Sequence, residues 1–468
     1  MNTKLNGKVL LDAGWKTGPA IGEAMALANT WITSTAITAE EALEKLEAIR
    51  MNPKQHLADT ELNSLATKLM NHVPRPSIMD EPVPYEVWGA EGIQKEALAQ
   101  LHTSCRLPVA VRGAQMPDGH VGYGLPIGGV LATRNAVIPY AVGVDISCRM
   151  HLTITNLPGD RLSGMNQKLI NALKEETAFG MGCRFTGAER RDHAVMEDAD
   201  WANLPRCATK DKAWSQLGSS GSGNHFVEWG VVEVPEGDAS HELGVPAGDY
   251  VSLMSHSGSR GTGASIADYF CNLAANLSPD LPREAKHLGW LDLDSAAGQE
   301  YWLAMNLAGR YAVANHECIH QHVLKNAGLK SLSVVQNHHN FAWKETYNGE
   351  ELIVHRKGAT PAGLGVLGVI PGSMADPAFM VKGKGNERSL NSASHGAGRN
   401  YGRKQALKTF TKSQMKTLLQ ERGVELLGGG VDESPMVYKP IREVMAAQAD
   451  LVDVLATFHP KIVLMSND

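Results

Sequence analysis

Five short segments rich in glycine and histidine recur along this chain of 468 residues: GVDISC (143–148), GSGNHF (221–226), HSGSRG (256–261), NHHNFAW (337–343) and SHGAGR (394–399). Each sets a metal ligand or a nucleophile between small residues, where glycine lets the backbone approach a ligand closely or take positive φ. Together they supply Asp145, Cys148, His225, His256, His339 and His395. Six soft and borderline donors exceed one closed zinc site. Two metal ions plus one free histidine suit the set, and that combination points to phosphate chemistry. A lone histidine is more often a satisfied loop or core residue; five segments with one shared pattern argue against that reading here.

The spacing carries further chemistry. Asp145 and Cys148 lie three apart, so a strand end or turn can aim both inward. A thiolate can bridge two divalent ions and lower their repulsion, and a Cys, carboxylate and imidazole set suits Mn, Zn, Co or Fe. Around His395 the neighbours are small, Arg399 offers a planar fork to phosphate, and an imidazole near neutral pH is a competent nucleophile toward phosphorus. A metal-ligand role for His395 stays open on these grounds.

Composition narrows the class. The formal net charge of −6 excludes a globally basic nucleic-acid coat. Locally, ten Lys and Arg against two Glu fall between Lys382 and Arg422, around the SHGAGR segment. The six cysteines form no CxxC pair, so a reduced, cytoplasmic setting without a disulfide framework is expected. No signal-like or membrane-length apolar run is present.

The organisation reads as α+β. Residues 1–80 carry none of the segments and read as helices, with Thr38 and Glu41 as a capping box. The stretch 71–86, with four prolines, reads as a linker or extended crossing. From there a single large domain, 81–468, alternates strand-like runs with glycine turns and several helices. SLSVVQNHHNFAW (331–343) reads as one strand running into a site. The end of the chain, PIREVMAAQADLVDVLATF and then KIVLM, reads as helix followed by strand.

Two motifs invite other functions. His316, Glu317 and His320 match HExxH, the pattern of a metalloprotease helix; the plainer reading is a polar stretch flanking a Leu/Ala-rich helix face. Gly363, Gly365 and Gly368 match GxGxxG, but the run leads into Pro371, so a turn between strands fits better than a dinucleotide fingerprint. No Walker A sequence and no Lys-x-Asp-Gly nucleophile motif occurs.

The segments, taken with MPDGHVGYGLPIGG (116–129), VHRKGAT (354–360) and IPGSM (370–374), resemble in content and order those of the RtcB family of RNA-splicing ligases. The resemblance covers about residues 85–468 and implies that family's α+β fold with sheets around a central metal cleft. It implies a GTP-dependent ligase joining an RNA 3′-phosphate or 2′,3′-cyclic phosphate to a 5′-hydroxyl, with two Mn²⁺ ions (Zn or Co as substitutes) and an archease-type activator as a further partner. Asp145, Cys148 and His225 would hold one ion, and Cys148, His256 and His339 the other. His395 would carry GMP. Asn224, Phe226, Glu228, Asn340, Pro371, Gly372, Ser373, Met374, Gly396, Ala397, Gly398 and Tyr438 would bind the nucleotide. Arg260, Arg356, Lys357, Arg399 and Arg403 would contact phosphates or RNA. Two positions depart from the family pattern: Met465 falls about where a guanine-contacting lysine is usual, and Ala378 where a serine is usual. Glu228 remains, and a relaxed choice of nucleotide follows as an alternative. Rival readings are a metal-dependent phosphoesterase or other hydrolase and a non-catalytic RNA-binding repair protein on the same fold.

Overall fold

The computed structural model describes residues 5–15, 19–34, 37–70, 78–204 and 208–467. The fold is α+β, as the alternation of strand runs and amphipathic helices leads one to expect. One sheet runs in the order Tyr85–Val87, Ala110–His120, Ile127–Thr133, Glu350–Lys357, Asn340–Tyr347. A larger sheet runs Leu367–Ile370, Ala378–Gly383, Val452–Met465, Phe226–Val234, Gly248–Ser257, Arg149–Pro158, Ser331–His338, with Glu425–Gly428 beside Val452–Met465. Apolar side chains pack on both faces of the larger sheet: Met150, Leu152, Val232 and Phe458 on one, Trp229, Leu253, Ile319 and Val323 on the other.

Register positions the site. Phe226 pairs with His256, His256 with Met150, and Met150 with Asn337 across four adjacent strands. His225, His256, Cys148 and His339 therefore all fall within two residues of one row, at one end of the sheet. The stretch 331–343 is two strands rather than one. It breaks at His339, whose N–H reaches Cys148 O at 3.0 Å, and each half joins a different sheet. That break turns the imidazole into the space between the sheets.

The chain's end also departs from expectation. The helix covers only Ile441–Ala446, and Val452–Met465 is a single long strand. Buried Ala456, Phe458, Pro460 and Ile462 alternate with half-buried Thr457, His459 and Lys461, so period-two burial in the middle of a sheet outweighs the helical look of 447–458. The GxGxxG run is, as expected, a turn between strands Ala359–Pro361 and Leu367–Ile370.

Helices Gly7–Asp12, Pro19–Ser34, Ala39–Met51 and Asn63–Met70 enclose a core of their own, built on Leu10, Trp31, Leu46, Ile49 and Leu65. The Thr38 capping box is formed in both directions. Of the proline-rich stretch, residues 71–77 lie outside the described residues; beyond them the backbone runs extended, Met79 N–H on Arg106 O and Val83 N–H on Cys105 O. Among the described residues no helix is long and apolar enough to cross a membrane. Cys105, Cys148, Cys183, Cys271 and Cys318 are free thiols.

Candidate active site

The Asp145–Cys148 turn is closed by Cys148 N–H on Asp145 O at 3.1 Å. Ser147 holds φ +58°, a strained conformation for a residue with a side chain, and its N–H is fixed by Asn340 O at 2.7 Å. The turn presents carboxylate and thiol on the same side. Gly258 makes room for it: a Cβ there would lie 2.2 Å from Asp145 Oδ1.

Two groups of donor atoms lie within 4.8 Å of one another: Asp145, Cys148 and His225, and Cys148, His256 and His339. They share Cys148 Sγ, which lies 3.5 Å from His225 Nε2 and 3.1 Å from His256 Nε2. Asp145 Oδ2 is 2.9 Å from His225 Nε2, and the Nε2 atoms of His256 and His339 are 3.2 Å apart. The far nitrogens explain the convergence. His225 Nδ1 donates to Ser220 O at 2.8 Å and His256 Nδ1 to Asn224 O at 3.0 Å. A carbonyl can only accept, so both Nε2 lone pairs point at the thiol, the usual second-contact arrangement of metal-bound imidazoles. Burial pushes the His256 pKa down to about 3 and the His339 pKa well below its ordinary value, so these rings are neutral. Burial opposes ionisation of Asp145, yet His225 and Arg260 beside it keep the carboxyl below its ordinary pKa. The Nε2 atoms of His225 and His256 face the thiol, and that of His225 also faces a carboxylate oxygen 2.9 Å away; such acceptors repel unless a proton or a cation sits between them. The residues present fit divalent metal, and the donor set suits Mn, Zn or Co.

These groups open into a cleft of about 230 Å³. All twelve residues expected at a nucleotide line it, as do Arg399 and His395. His395 is tied by Nδ1 to Asp118 Oδ2 at 2.6 Å, and the same oxygen accepts the backbone N–H of His395 at 3.1 Å. Asp118 is fully buried and paired at only one of its oxygens. The Nδ1 proton is thereby held and Nε2 is left with its lone pair, the tautomer a nucleophile needs. Gly398, at φ +73°, leaves space for this: a Cβ would meet Asp118 O at 2.1 Å. Asp118 is the functional residue that reading the glycine-histidine segments missed. It stands in MPDGH, and the signal was a carboxylate between Pro117 and Gly119, followed at once by His120. His120, whose Nδ1 donates to Asp118 O at 3.1 Å, also lines the cleft.

At the other end, Glu228 is buried among Phe226, Met254, Met374, Ala378 and Met465. Burial alone pushes its carboxyl well above the ordinary pKa. Tyr438 donates to Glu433 with Arg399 over its ring.

Four of the five cations expected at phosphates do not line the cleft. Arg356 is fully buried, forked onto Glu345 at 2.6 and 3.1 Å and bonded to Ser392 and Leu390 O. It pins the edge strand of the smaller sheet and that strand's neighbour to the 390–392 turn. Lys357 is buried on Tyr123 O, and burial pushes its pKa down to about 7. Arg260, with φ +56°, packs its guanidinium over Gly221 and within 3.4 Å of His225 Nδ1. Arg403 pairs with Asp432 and Glu433. The basic run 382–422 is likewise matched by acids from elsewhere, including Glu242, Asp453, Glu86 and Glu433. Lys404, Lys408, Lys412 and Lys416, on helices Arg403–Thr409 and Lys412–Glu421, have no ion pair among the described residues.

The HExxH motif sits on helix Ala296–Ala327, but its residues point apart. Glu317 is half exposed and pairs with His193 at 2.9 Å. His316 and His320 are buried on the opposite side, bonded to Ser255 Oγ at 2.6 and 2.8 Å. The polar stretch expected on this helix is thus divided: Glu317 is exposed, while Asn315, His316 and His320 form a buried polar layer. Glu317→Gln should change stability by no more than about 1 kcal/mol and leave metal content unchanged, as read by thermal melts and elemental analysis.

The sequence model of the family described as tRNA-splicing ligase RtcB matches residues 100–466. The chain belongs to the RtcB family. It is 34% identical to the RNA-splicing ligase RtcB of Escherichia coli K12 over 414 residues, 81% of this chain and 96% of that one. It is 31% identical to the tRNA-splicing ligase RtcB of Methanococcus maripaludis, over 76% of this chain and 88% of that one. The tRNA-splicing ligase RtcB of Nanoarchaeum equitans is 30% identical, over 85% and 98% of the two chains. The RtcB match spans all five glycine-histidine segments and the strand of Asp118, while the helices within residues 5–70 lie before it.

Proposed function

We propose that this chain is an RNA ligase of splicing or repair that joins an RNA 3′-phosphate or 2′,3′-cyclic phosphate to a 5′-hydroxyl, using GTP and Mn²⁺ through a histidine–GMP intermediate. The observation that carries the reading is His395: its Nδ1 is tied to buried Asp118 and it faces the same cleft as the two donor groups. In this reading the His395 Nε2 lone pair attacks the α-phosphorus of GTP. An N–P bond forms, the bond to pyrophosphate breaks, and the Nδ1 proton stays on the Asp118 hydrogen bond. Where the RNA ends in a 2′,3′-cyclic phosphate, water would first open it to the 3′-phosphate. An RNA 3′-phosphate oxygen then takes the GMP from Nε2, and the 5′-hydroxyl attacks the activated RNA phosphorus, losing its proton to solvent as GMP leaves. Two divalent ions held by Asp145, Cys148 and His225 and by Cys148, His256 and His339 would neutralise phosphate oxygens through these displacements. Phe226 and Tyr438 would flank the base, and Glu228 would meet its polar edge. Residues 1–80 would form a helical extension beside a catalytic domain of 81–468.

Asp118→Asn tests the nucleophile's orientation. By analogy with losing the carboxylate that orients a catalytic imidazole, covalent labelling from α-labelled GTP should slow on the order of 10³–10⁴-fold, with Mn²⁺ content unchanged. The reading fails if the wild-type protein takes no label from any nucleotide while metal is bound. A second reading, a relaxed choice of base, is favoured by Met465 and Ala378, which line the base end of the cleft beside Glu228. Labelling from α-labelled ATP at a rate near that from GTP would support it.

A further inference from the structure

The HExxH helix lies behind the metal groups, and its buried polar turn belongs to neither donor group. Asn315, His316 and His320 are all nearly or fully buried. Asn315 accepts from Gly218 N–H at 2.8 Å and donates to Ser219 O at 3.0 Å and to Ser257 Oγ at 3.2 Å. His316 Nε2 faces Ser257 O at 3.1 Å. That carbonyl can only accept, so Nε2 carries the proton and Nδ1 accepts from the Ser255 hydroxyl. Ser255 Oγ, having donated its proton, accepts from His320 Nε2, and His320 Nδ1 accepts from Thr153 Oγ1 at 2.8 Å. Every proton in this chain has one consistent place, and neither ring keeps a lone pair for a metal.

The chain touches the segments that carry the donors. Ser255 and Ser257 bracket His256 on its strand. Ser257 Oγ donates to Ser220 O at 2.9 Å, the carbonyl that also orients His225 Nδ1. Thr153 stands on the strand that follows Cys148.

We infer that Asn315, His316 and His320 are positioning residues for the metal groups. From behind the sheet they lock the His256 strand and the His225 loop in the register that makes both Nε2 atoms converge on Cys148. The inference rests on the reading of those groups as a metal centre. It assigns HExxH a role in support of metal bound elsewhere rather than in binding metal itself.

The test is titration of the metal-free protein with Co²⁺, read by the thiolate-to-cobalt absorption band and the ligand-field bands, with the melting temperature of the metal-free protein measured alongside. His316→Leu should weaken Co²⁺ binding about 10–100-fold, the usual effect of losing an outer partner of a ligand, and change the ligand-field intensity. His316→Gln, which keeps a donor toward Ser257 O, should recover most of the affinity. Should His316→Leu not fold, Ser255→Ala, which removes one hydroxyl between the two rings, carries the test with the same expected direction. Wild-type affinity and spectrum in the folded variants overturn the inference, whatever their melting temperatures. A wild-type protein without the thiolate band, or a band that persists in Cys148→Ala, overturns the metal-centre reading instead.

Discussion

His395→Ala protein incubated with α-labelled GTP and Mn²⁺ carries no covalent label, and end joining falls to the assay floor. Removing a covalent nucleophile costs on the order of 10⁶ in turnover where it has been measured, and no other cleft side chain is placed to substitute. His120 stands nearby, but its Nδ1 is bonded to a backbone carbonyl rather than to a carboxylate, so it lacks the anionic partner that Asp118 gives His395. The His339 ring lies 4.8 Å from the His395 ring, and its Nε2 is directed at His256. Loss of His395 leaves every donor of the two metal groups in place, so metal content should stay at the wild-type level. Label retained in His395→Ala would place the nucleophile elsewhere.

Cys148→Ala is the second large effect. Sγ is the one atom common to both donor groups. Without it each group keeps two protein donors, and two cations close together lose the anion that screens them from each other. Metal affinity should fall by more than the 10–100-fold that follows loss of an outer partner, and dialysed protein should hold little metal by elemental analysis. The fold should survive, since trimming one small buried side chain is a change of about 1 kcal/mol. Cys105→Ala, a buried thiol packed with Leu101 and Leu107 away from the cleft, is the control and should keep full metal content.

The donor set of the cleft was legible in the sequence because it is carried by local patterns. Each donor sits in a segment of six or seven residues, and the donors of all five segments line one cleft. What the sequence hid was non-local. Asp118 earns its place only through a bond to a residue 277 positions later. Arg356 looked like a phosphate ligand beside Lys357, but Glu345, eleven residues earlier and across a strand pair, neutralises it in the core. The basic run 382–422 looked unbalanced because its acidic partners lie up to 302 residues away. Fold class followed from the alternation of patterns, whereas Val452–Phe458 was misread because a buried central strand and an apolar helix share the same residues until the neighbours are known. HExxH shows the same limit: the helical spacing was right, but only the packing shows that Glu317 faces outward and the histidines face Ser255.

The central claim, that this cleft joins a 3′-phosphate to a 5′-hydroxyl, is tested most directly by following one phosphate. An RNA strand labelled in its terminal 3′-phosphate is mixed with a 5′-hydroxyl strand, GTP, Mn²⁺ and the full-length protein, and the joined product is digested to nucleotides. The account predicts that the label becomes the phosphodiester at the new junction, resistant to phosphatase, and that joining requires GTP. A product whose junction phosphate comes from another source, or release of the label as free phosphate with no joined strand, would contradict it.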